Sequence, residues 1–155
     1  MIGFGQDNEQ DINGYKYIVI DNVTSHRASN LYIRKCKKLL ISTLKDAGFN
    51  VISNVPEGFV SESWPKDLES NKNLALYCDL NVYETAFVVI EVMLRRYNEE
   101  IFYYKKISDG VFFNLKPSIK KVLEPLVKIE YKYDAALTIT ESPYPNRQNT
   151  NTEWR

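Results

Sequence analysis

The chain switches between segments with apolar residues at every second position and segments with apolar residues at every third or fourth position. Residues 15–21 (YKYIVID) are β-branched and aromatic, and they predict a strand. From about residue 28 or 31 to residue 47 the apolar spacing is helical, and Gly48 is a typical residue for ending that helix. Residues 49–53 (FNVIS) predict a short strand, so the chain opens with a β-α-β unit.

The next part of the chain predicts an antiparallel meander. Residues 54–73 contain Pro, Gly and alternating polar residues, and we expect a long loop there. Residues 74–83, 87–97 and 101–107 each have the composition of a strand, and short polar turns separate them.

Residues 115–129 predict a second helix, with Pro117 in a first turn that tolerates proline. Pro125 lacks an N–H group, so we expect the helix to kink there or to end near residue 124. Residues 131–139 have the composition of one more edge strand.

The predicted fold class is α+β. The order β-α-β-β-β-β-α, with an extra C-terminal strand left open, predicts a single mixed sheet with two helices on one face. We expect residues 1–14 to be a flexible lead-in, residues 15–139 to be one domain and residues 140–155 to be a polar tail. The length of 155 residues suits one such domain.

Charge and hydropathy restrict the partners. Twenty basic residues balance twenty acidic ones, which argues against nucleic-acid binding. No stretch approaches the roughly 20 apolar residues that span a bilayer. Residues 2–6 (IGFGQ) followed by a polar run resemble the end of an export leader whose upstream part is missing, although an ordinary N-terminus is the alternative.

Few residues are suited to catalysis or to holding a cofactor. No glycine-rich loop joins a strand to a helix, and His26 is the one histidine of the sequence. Cys36 and Cys78 are interpreted as buried hydrophobic residues, with a disulfide or a reactive thiol as the alternatives. We therefore expect no cofactor and no metal. Asp79 and Glu91 lie on neighbouring predicted strands and could face each other as an acid–base pair, although two solvated carboxylates on the sheet surface are the favoured explanation.

The remaining candidate is a binding surface. Tyrosine and tryptophan are enriched at protein interfaces, and alternation places several tyrosines opposite the apolar face of the sheet. Ordinary cross-strand pairing is the alternative explanation of these tyrosines. The predicted partner-binding residues are Tyr77, Tyr83, Tyr103, Trp64 and Trp154.

Four segments together resemble a known group. YKYIVIDNV, LKDAGFNVIS, LALYCDLNV and FVVIEVMLRRYNEEIFYY look like small exported envelope proteins of Bacteroidota, similar in element order to the N-terminal domain of TolB and related lipoprotein domains. The resemblance covers about residues 15–130. It implies a periplasmic or outer-membrane-associated location, other envelope proteins as partners and no catalytic residues. Pro125 and the lack of a lipobox cysteine depart from the pattern.

The favoured hypothesis is thus a non-catalytic accessory subunit of a cell-envelope assembly. A small carboxylate-dependent hydrolase acting on an envelope glycan, and a cytoplasmic immunity or inhibitor protein, are the alternatives.

Overall fold

The protein forms one mixed five-stranded sheet with strand order β2-β1-β3-β4-β5. The structure is a computed structural model that describes residues 12–26, 30–54, 63–84, 87–110 and 115–138. The elements are β1 (Tyr17–His26), α1 (Asn30–Asp46), β2 (Asn50–Ser53), α2 (Lys66–Ser70), β3 (Ala75–Glu84), β4 (Val88–Arg95), β5 (Ile101–Gly110) and α3 (Leu115–Val127). The predicted α+β class and the predicted strand and long-helix order are confirmed, and α2 is an addition.

Strand β1 lies inside the sheet and is buried on both faces. It runs parallel to β2 on one side and to β3 on the other. Its consecutive residues Ile18, Val19 and Ile20 are at most 2% exposed. Since successive side chains of a strand point to opposite faces, both faces of β1 must be covered.

The two long helices lie on one face of the sheet, as predicted. On α1 the buried residues recur at helical spacing and form one stripe, and α3 presents a similar stripe. Gly48 follows α1 with a φ of 99°, a left-handed conformation that glycine adopts without steric cost. The helix residues in this core are Tyr32, Cys36, Leu40, Leu44, Leu115, Ile119, Val122, Leu123 and Leu126.

A smaller apolar cluster lies on the opposite face, where Val19, Ile52 and Tyr77 pack with α2. The prediction of a long loop over residues 54–73 is wrong in its second part, because residues 66–70 form a helix. Leu68 is fully buried there, and this burial stabilises a helix too short to form alone. Residues 55–62 lie outside the described part of the chain.

Asp67 attaches α2 to β1. Its carboxylate accepts hydrogen bonds from Lys16 Nζ at 2.6 Å and from the Tyr17 hydroxyl at 2.9 Å. The hydrogen bond from Lys16 is the largest cause of a lowered pKa at Asp67, and the same contact raises the pKa of Lys16.

Strand β1 is longer than the predicted strand over residues 15–21. It continues to His26, because residues 22–26 also pair with β3. Thr24 Oγ1 also donates to Asn81 Oδ1 across the strands at 3.0 Å. Leu74, predicted as the first residue of the strand over residues 74–83, belongs instead to a 3₁₀ turn and packs in the smaller cluster.

Helix α3 continues through Pro125 and ends at Val127. Of the two predicted alternatives, an end near residue 124 is therefore wrong. A proline so near the end removes one helical hydrogen bond, and the full burial of Leu126 in the last turn opposes that loss.

Residues 131–138, here called the C-terminal strap, are not a strand. Their hydrogen bonds go to the N-terminal segment instead: Asp134 N donates to Asn13 O at 2.7 Å, and Thr138 Oγ1 donates to Gly14 O at 3.0 Å. Residues 12–14 form a 3₁₀ turn with Ile12 only 1% exposed, so the ordered core extends into the predicted lead-in.

We predict that Gly14→Ala will destabilise the fold by about 1–3 kcal/mol, the usual cost of overpacking. A Cβ at residue 14 would lie 2.6 Å from the Leu137 carbonyl oxygen, which belongs to the strap backbone. Urea unfolding measures the change. Gly48→Asn is the control, because that site is open and asparagine tolerates a left-handed backbone, so its cost should stay under about 1 kcal/mol. Equal values for the two variants would contradict the close approach.

We predict that the stabilising effect of Asp67 disappears in acid. Its folded-state pKa lies below its ordinary value of 3.8, so its contribution is complete above that value and is lost as the pH falls through the folded pKa. The urea midpoints of the wild type and Asp67→Asn should differ at pH 7 and converge as the pH falls below 3.8 and through the folded-state pKa. Asp46→Asn, at the exposed end of α1, is the control. A difference that stays constant from pH 7 to pH 2 would exclude this role for the carboxylate.

Candidate functional site

The face of the sheet opposite α1 and α3 carries most of the polar side chains of the strands. We call it the polar sheet face. Strand register places Asn81 opposite Glu91 and Met93 opposite Tyr104. The smaller apolar cluster covers one end of this face. The residues that share it by register are Asn22, Thr24, Tyr77, Asp79, Asn81, Tyr83, Glu91, Met93, Arg95, Tyr104 and Lys106.

Arg95 connects three strands of this face. Its Nε donates to Asp79 Oδ2 at 3.0 Å, and its Nη2 donates to Asp21. These three residues, here called the arginine clamp, join β4 to β3 and β1. Their side chains are only 18–26% exposed, so solvent screens the ion pairs less than it screens surface pairs.

A register irregularity in β1 places Asp21 in the clamp. The pairing with β3 shifts between Ile20 and Asn22, so Asp21 has no opposite residue. Such bulges redirect a side chain, and here the carboxylate reaches Arg95. Amide groups satisfy further oxygens of the clamp: Asn54 Nδ2 donates to Asp21 Oδ1 at 3.1 Å, and Asn22 Nδ2 donates to Asp79 Oδ1 at 2.8 Å.

Aromatic rings lie directly beside the clamp. The guanidinium carbon of Arg95 is 5.9 Å from the centre of the Tyr77 ring. Trp64 and Tyr97 flank the same ring at centroid distances of 6.2 and 6.0 Å. The hydrogen bonds with Asp79 are the largest cause of a raised pKa at Arg95, and the guanidinium therefore remains a fixed cation among these rings.

Glu91 is held as an anion a short distance along the sheet. The Tyr104 hydroxyl donates to one carboxylate oxygen, and Asn81 Nδ2 donates to the other at 3.1 Å. The Tyr104 hydrogen bond is the largest cause of a lowered pKa at Glu91, and the same bond raises the pKa of Tyr104 to about 12. This part of the face is thus ordered and charged.

The proposed pair of Asp79 and Glu91 shares a face but is not directly opposed. Asp79 pairs with Met93, and Glu91 pairs with Asn81. A general acid acting near neutral pH needs a raised pKa, whereas the pKa of Glu91 is lowered and Asp79 is bound to Arg95. The geometry gives no support to the carboxylate hydrolase hypothesis.

Three large side chains remain exposed near the end of this face. Tyr97, Ile101 and Tyr104, here called the edge patch, are 40%, 57% and 37% exposed. Ile101 lies opposite Arg95 on the outermost strand β5, and Tyr104 lies opposite Met93. An isoleucine with this exposure beside tyrosine, arginine and methionine has the composition of an interface centre.

The predicted partner-binding residues are distributed unevenly. Tyr83 lies half-buried on the polar sheet face. Tyr77 is also on this face but only 4% exposed, and its hydroxyl donates to the Lys72 carbonyl at 2.8 Å. Trp64 is half-buried against Tyr77. Trp154 lies outside the described residues.

Tyr103 requires a correction. It is fully buried on the helix-covered face, where it pairs with Leu94 and donates to the Val122 carbonyl at 2.5 Å. Alternation shows that residues 103 and 104 point to opposite faces, but only the register with β4 decides which residue is outside. Tyr104 is the one on the polar sheet face.

Both cysteines are buried and free, which confirms their interpretation as core residues. Burial raises the pKa of Cys36 to about 11 and raises the pKa of Cys78 as well. His26 is exposed at the end of β1. Within the described ranges, no three or more His, Cys, Asp or Glu side chains are grouped so that they could hold a metal ion. None of the helices described is both long and apolar enough to cross a bilayer.

Comparison with known proteins shows a similarity of fold alone. No protein-family model and no curated protein sequence matches the chain. Among solved structures, a PelC dodecamer from Paraburkholderia phytofirmans matches with a TM-score of 0.50 and 14% identity, over 72% of this chain and 88% of PelC. A second PelC dodecamer structure from the same organism has a TM-score of 0.48 and 16% identity, over 79% of this chain and 91% of PelC.

Sequence reasoning missed the arginine clamp and the edge patch. Arg95 could have been assigned to the polar face by extending the alternation of β4 to its last residue. Asp21 gave no such signal, because its position depends on the irregularity in β1. Tyr97 and Ile101 flank the predicted turn, where alternation does not specify a face.

We predict that Arg95→Met lowers the free energy of unfolding by about 1–3 kcal/mol, because two partly buried carboxylates lose their cation. Lys128→Met is the matched control. Lys128 pairs with Glu124 at 3.1 Å on an exposed surface, where the change should stay within about 0.5 kcal/mol. Urea unfolding at pH 7 measures both variants. Similar values for the two would show that the clamp is no more stabilising than a surface ion pair.

Proposed function

We propose that this protein is a non-catalytic interaction module that binds a partner protein through the polar sheet face, as an accessory subunit of a cell-envelope assembly. The edge patch is the observation that carries the proposal. Tyr97, Ile101 and Tyr104 are three large exposed side chains grouped on one face, and grouped apolar exposure of this kind is typical of an interaction site.

Rigidity supports the same assignment. Arg95 is held by Asp21 and Asp79, and Tyr104 is held by Glu91, before any partner arrives. A surface ordered in advance loses less side-chain entropy on binding. Polar groups already satisfied within the chain also need no new hydrogen bond from the partner.

Two similarities support a place in a larger assembly, and only the first of them concerns the cell envelope. The sequence resembles exported envelope proteins and the TolB N-terminal domain in element order. The fold is similar to that of PelC, which assembles as a dodecamer. Both similarities favour a binding role within a larger assembly.

Site-specific photo-crosslinking tests the binding surface. We predict that a photoreactive residue at position 101 or 104 of the full chain, expressed in its native host, will capture a protein as a discrete crosslinked species. The same residue at position 31 is the control, because Leu31 is 63% exposed on α1, in the helical layer. Capture from position 31 alone, or from no position, would overturn the proposal.

Substitution measures the strength of the contact. Ile101→Glu should reduce capture from position 104 at least tenfold, because it places a charge at the centre of an apolar contact. Leu31→Glu should leave it unchanged. Cell fractionation of the wild type tests the envelope location separately, and recovery of all of the protein in the cytoplasm would exclude that location.

A further inference from the structure

The two long helices, α1 and α3, carry a strong excess of positive charge. They contain eight basic and two acidic residues, which leaves twelve basic and eighteen acidic residues for the rest of the chain. The whole chain is neutral because two parts of opposite sign cancel. Since the helices pack against each other on one face of the sheet, the positive excess lies on one side of the molecule.

Most of these basic side chains lie on the solvent-facing stripes of the helices, opposite the buried stripes. Of the two acidic residues, Glu124 pairs with Lys128 at 3.1 Å, so Asp46 is the other carboxylate of the layer. We call the basic helical face the six exposed basic residues that make no ion pair or hydrogen bond with another described residue. They are Arg34, Lys35, Lys38, Lys45, Lys116 and Lys120.

We infer that the basic helical face binds the surface of a lipid bilayer that contains anionic phospholipids. This goes beyond the proposed function, because the polar sheet face lies on the other side of the sheet. Clusters of about four to eight basic residues on a helical surface attract anionic headgroups. The helices have 17 and 13 residues, which corresponds to lengths of about 25 and 20 Å at a separation of about 10 Å. Charges this close attract a flat anionic surface together.

The types of residue on the basic helical face favour a bilayer over a protein or a nucleic acid. Five of the six are lysine, a point charge that suits diffuse attraction, whereas arginine suits bidentate recognition of phosphate. Protein interfaces have an apolar centre and are depleted in lysine. Among the described residues, the exposed positions of α1 and α3 include no aromatic ring on which a nucleic-acid base could stack.

Leu31 adds an apolar side chain to the same stripe of α1. It is 63% exposed and lies one turn before Arg34 and Lys35. At the boundary between headgroups and acyl chains, an apolar side chain beside basic ones is favourable. A residue at position 31 would thus contact lipid and not a protein bound to the polar sheet face.

Vesicle co-sedimentation of the full chain tests the inference. We expect binding to vesicles of phosphatidylcholine with about 30% phosphatidylglycerol in about 0.05 M salt, weaker binding in about 0.5 M salt, and none to phosphatidylcholine alone. Equal binding to both kinds of vesicle, or binding to neither, would overturn the inference. Tighter binding to duplex DNA than to the anionic vesicles at the same salt would assign the face to nucleic acid and would overturn it as well.

Charge removal tests which surface is used. Arg34→Gln, Lys38→Gln and Lys45→Gln together should weaken vesicle binding about a hundredfold, because each charge near an anionic surface contributes about fivefold. A matched control removes three exposed lysines outside the helical layer, with the same change in net charge, and should bind within about twofold of the wild type. The control substitutions are Lys66→Gln, Lys72→Gln and Lys106→Gln. An equal loss in both triple variants would show that binding follows total charge and would overturn the assignment to this face.

A second variant tests the contribution of α3 separately. Lys116→Gln with Lys120→Gln should weaken vesicle binding about 25-fold, by the same contribution per charge. Its urea midpoint should equal that of the wild type, because both side chains are exposed and unpaired among the described residues. Unchanged vesicle binding in this variant would contradict a surface formed by both helices.

Discussion

Burial of β1 on both faces is the constraint on which the rest of the structure depends. Ile18, Val19 and Ile20 are buried in succession, so apolar material must cover the sheet above and below. The helices α1 and α3 provide the larger cover, and α2 with Trp64 provides the smaller one. The smaller apolar cluster packs over only one end of that face. The neighbouring parts of β3, β4 and β5 therefore keep polar side chains on this face, and the candidate site consists of these side chains.

The arginine clamp connects this constraint to the proposed function. Arg95 on β4 reaches across β3 to Asp21 on β1, so the strand at the centre of the core and the strands of the polar face share one ion-pair network. Hydrogen bonds from Asn54 and Asn22 satisfy further carboxylate oxygens. The network fixes side chains at a surface where a partner would otherwise have to order them.

Local sequence patterns were sufficient to predict most of the helices and strands. The alternation in β3, the helical stripes of α1 and α3 and the glycine at residue 48 each report the periodicity of one element, and the structure agrees with them. The incorrect predictions share one cause. Helix α2 depends on the distant contacts of Leu68 and Asp67, and the strap at residues 131–138 depends on hydrogen bonds to residues 13 and 14. Neither contact is visible within a short window of sequence.

The sequence by itself determined the fold class, the meander and the presence of a polar tyrosine-bearing face, because these follow from the period of apolar residues along each strand and helix. Only the tertiary structure decided which tyrosines lie outside. The pairing of Tyr103 with Leu94 sends that ring into the core and leaves Tyr104 exposed, and the irregularity at Asp21 brings its carboxylate to Arg95. Register is a relation between strands, and a one-residue shift exchanges the two faces, so no single segment contains that information.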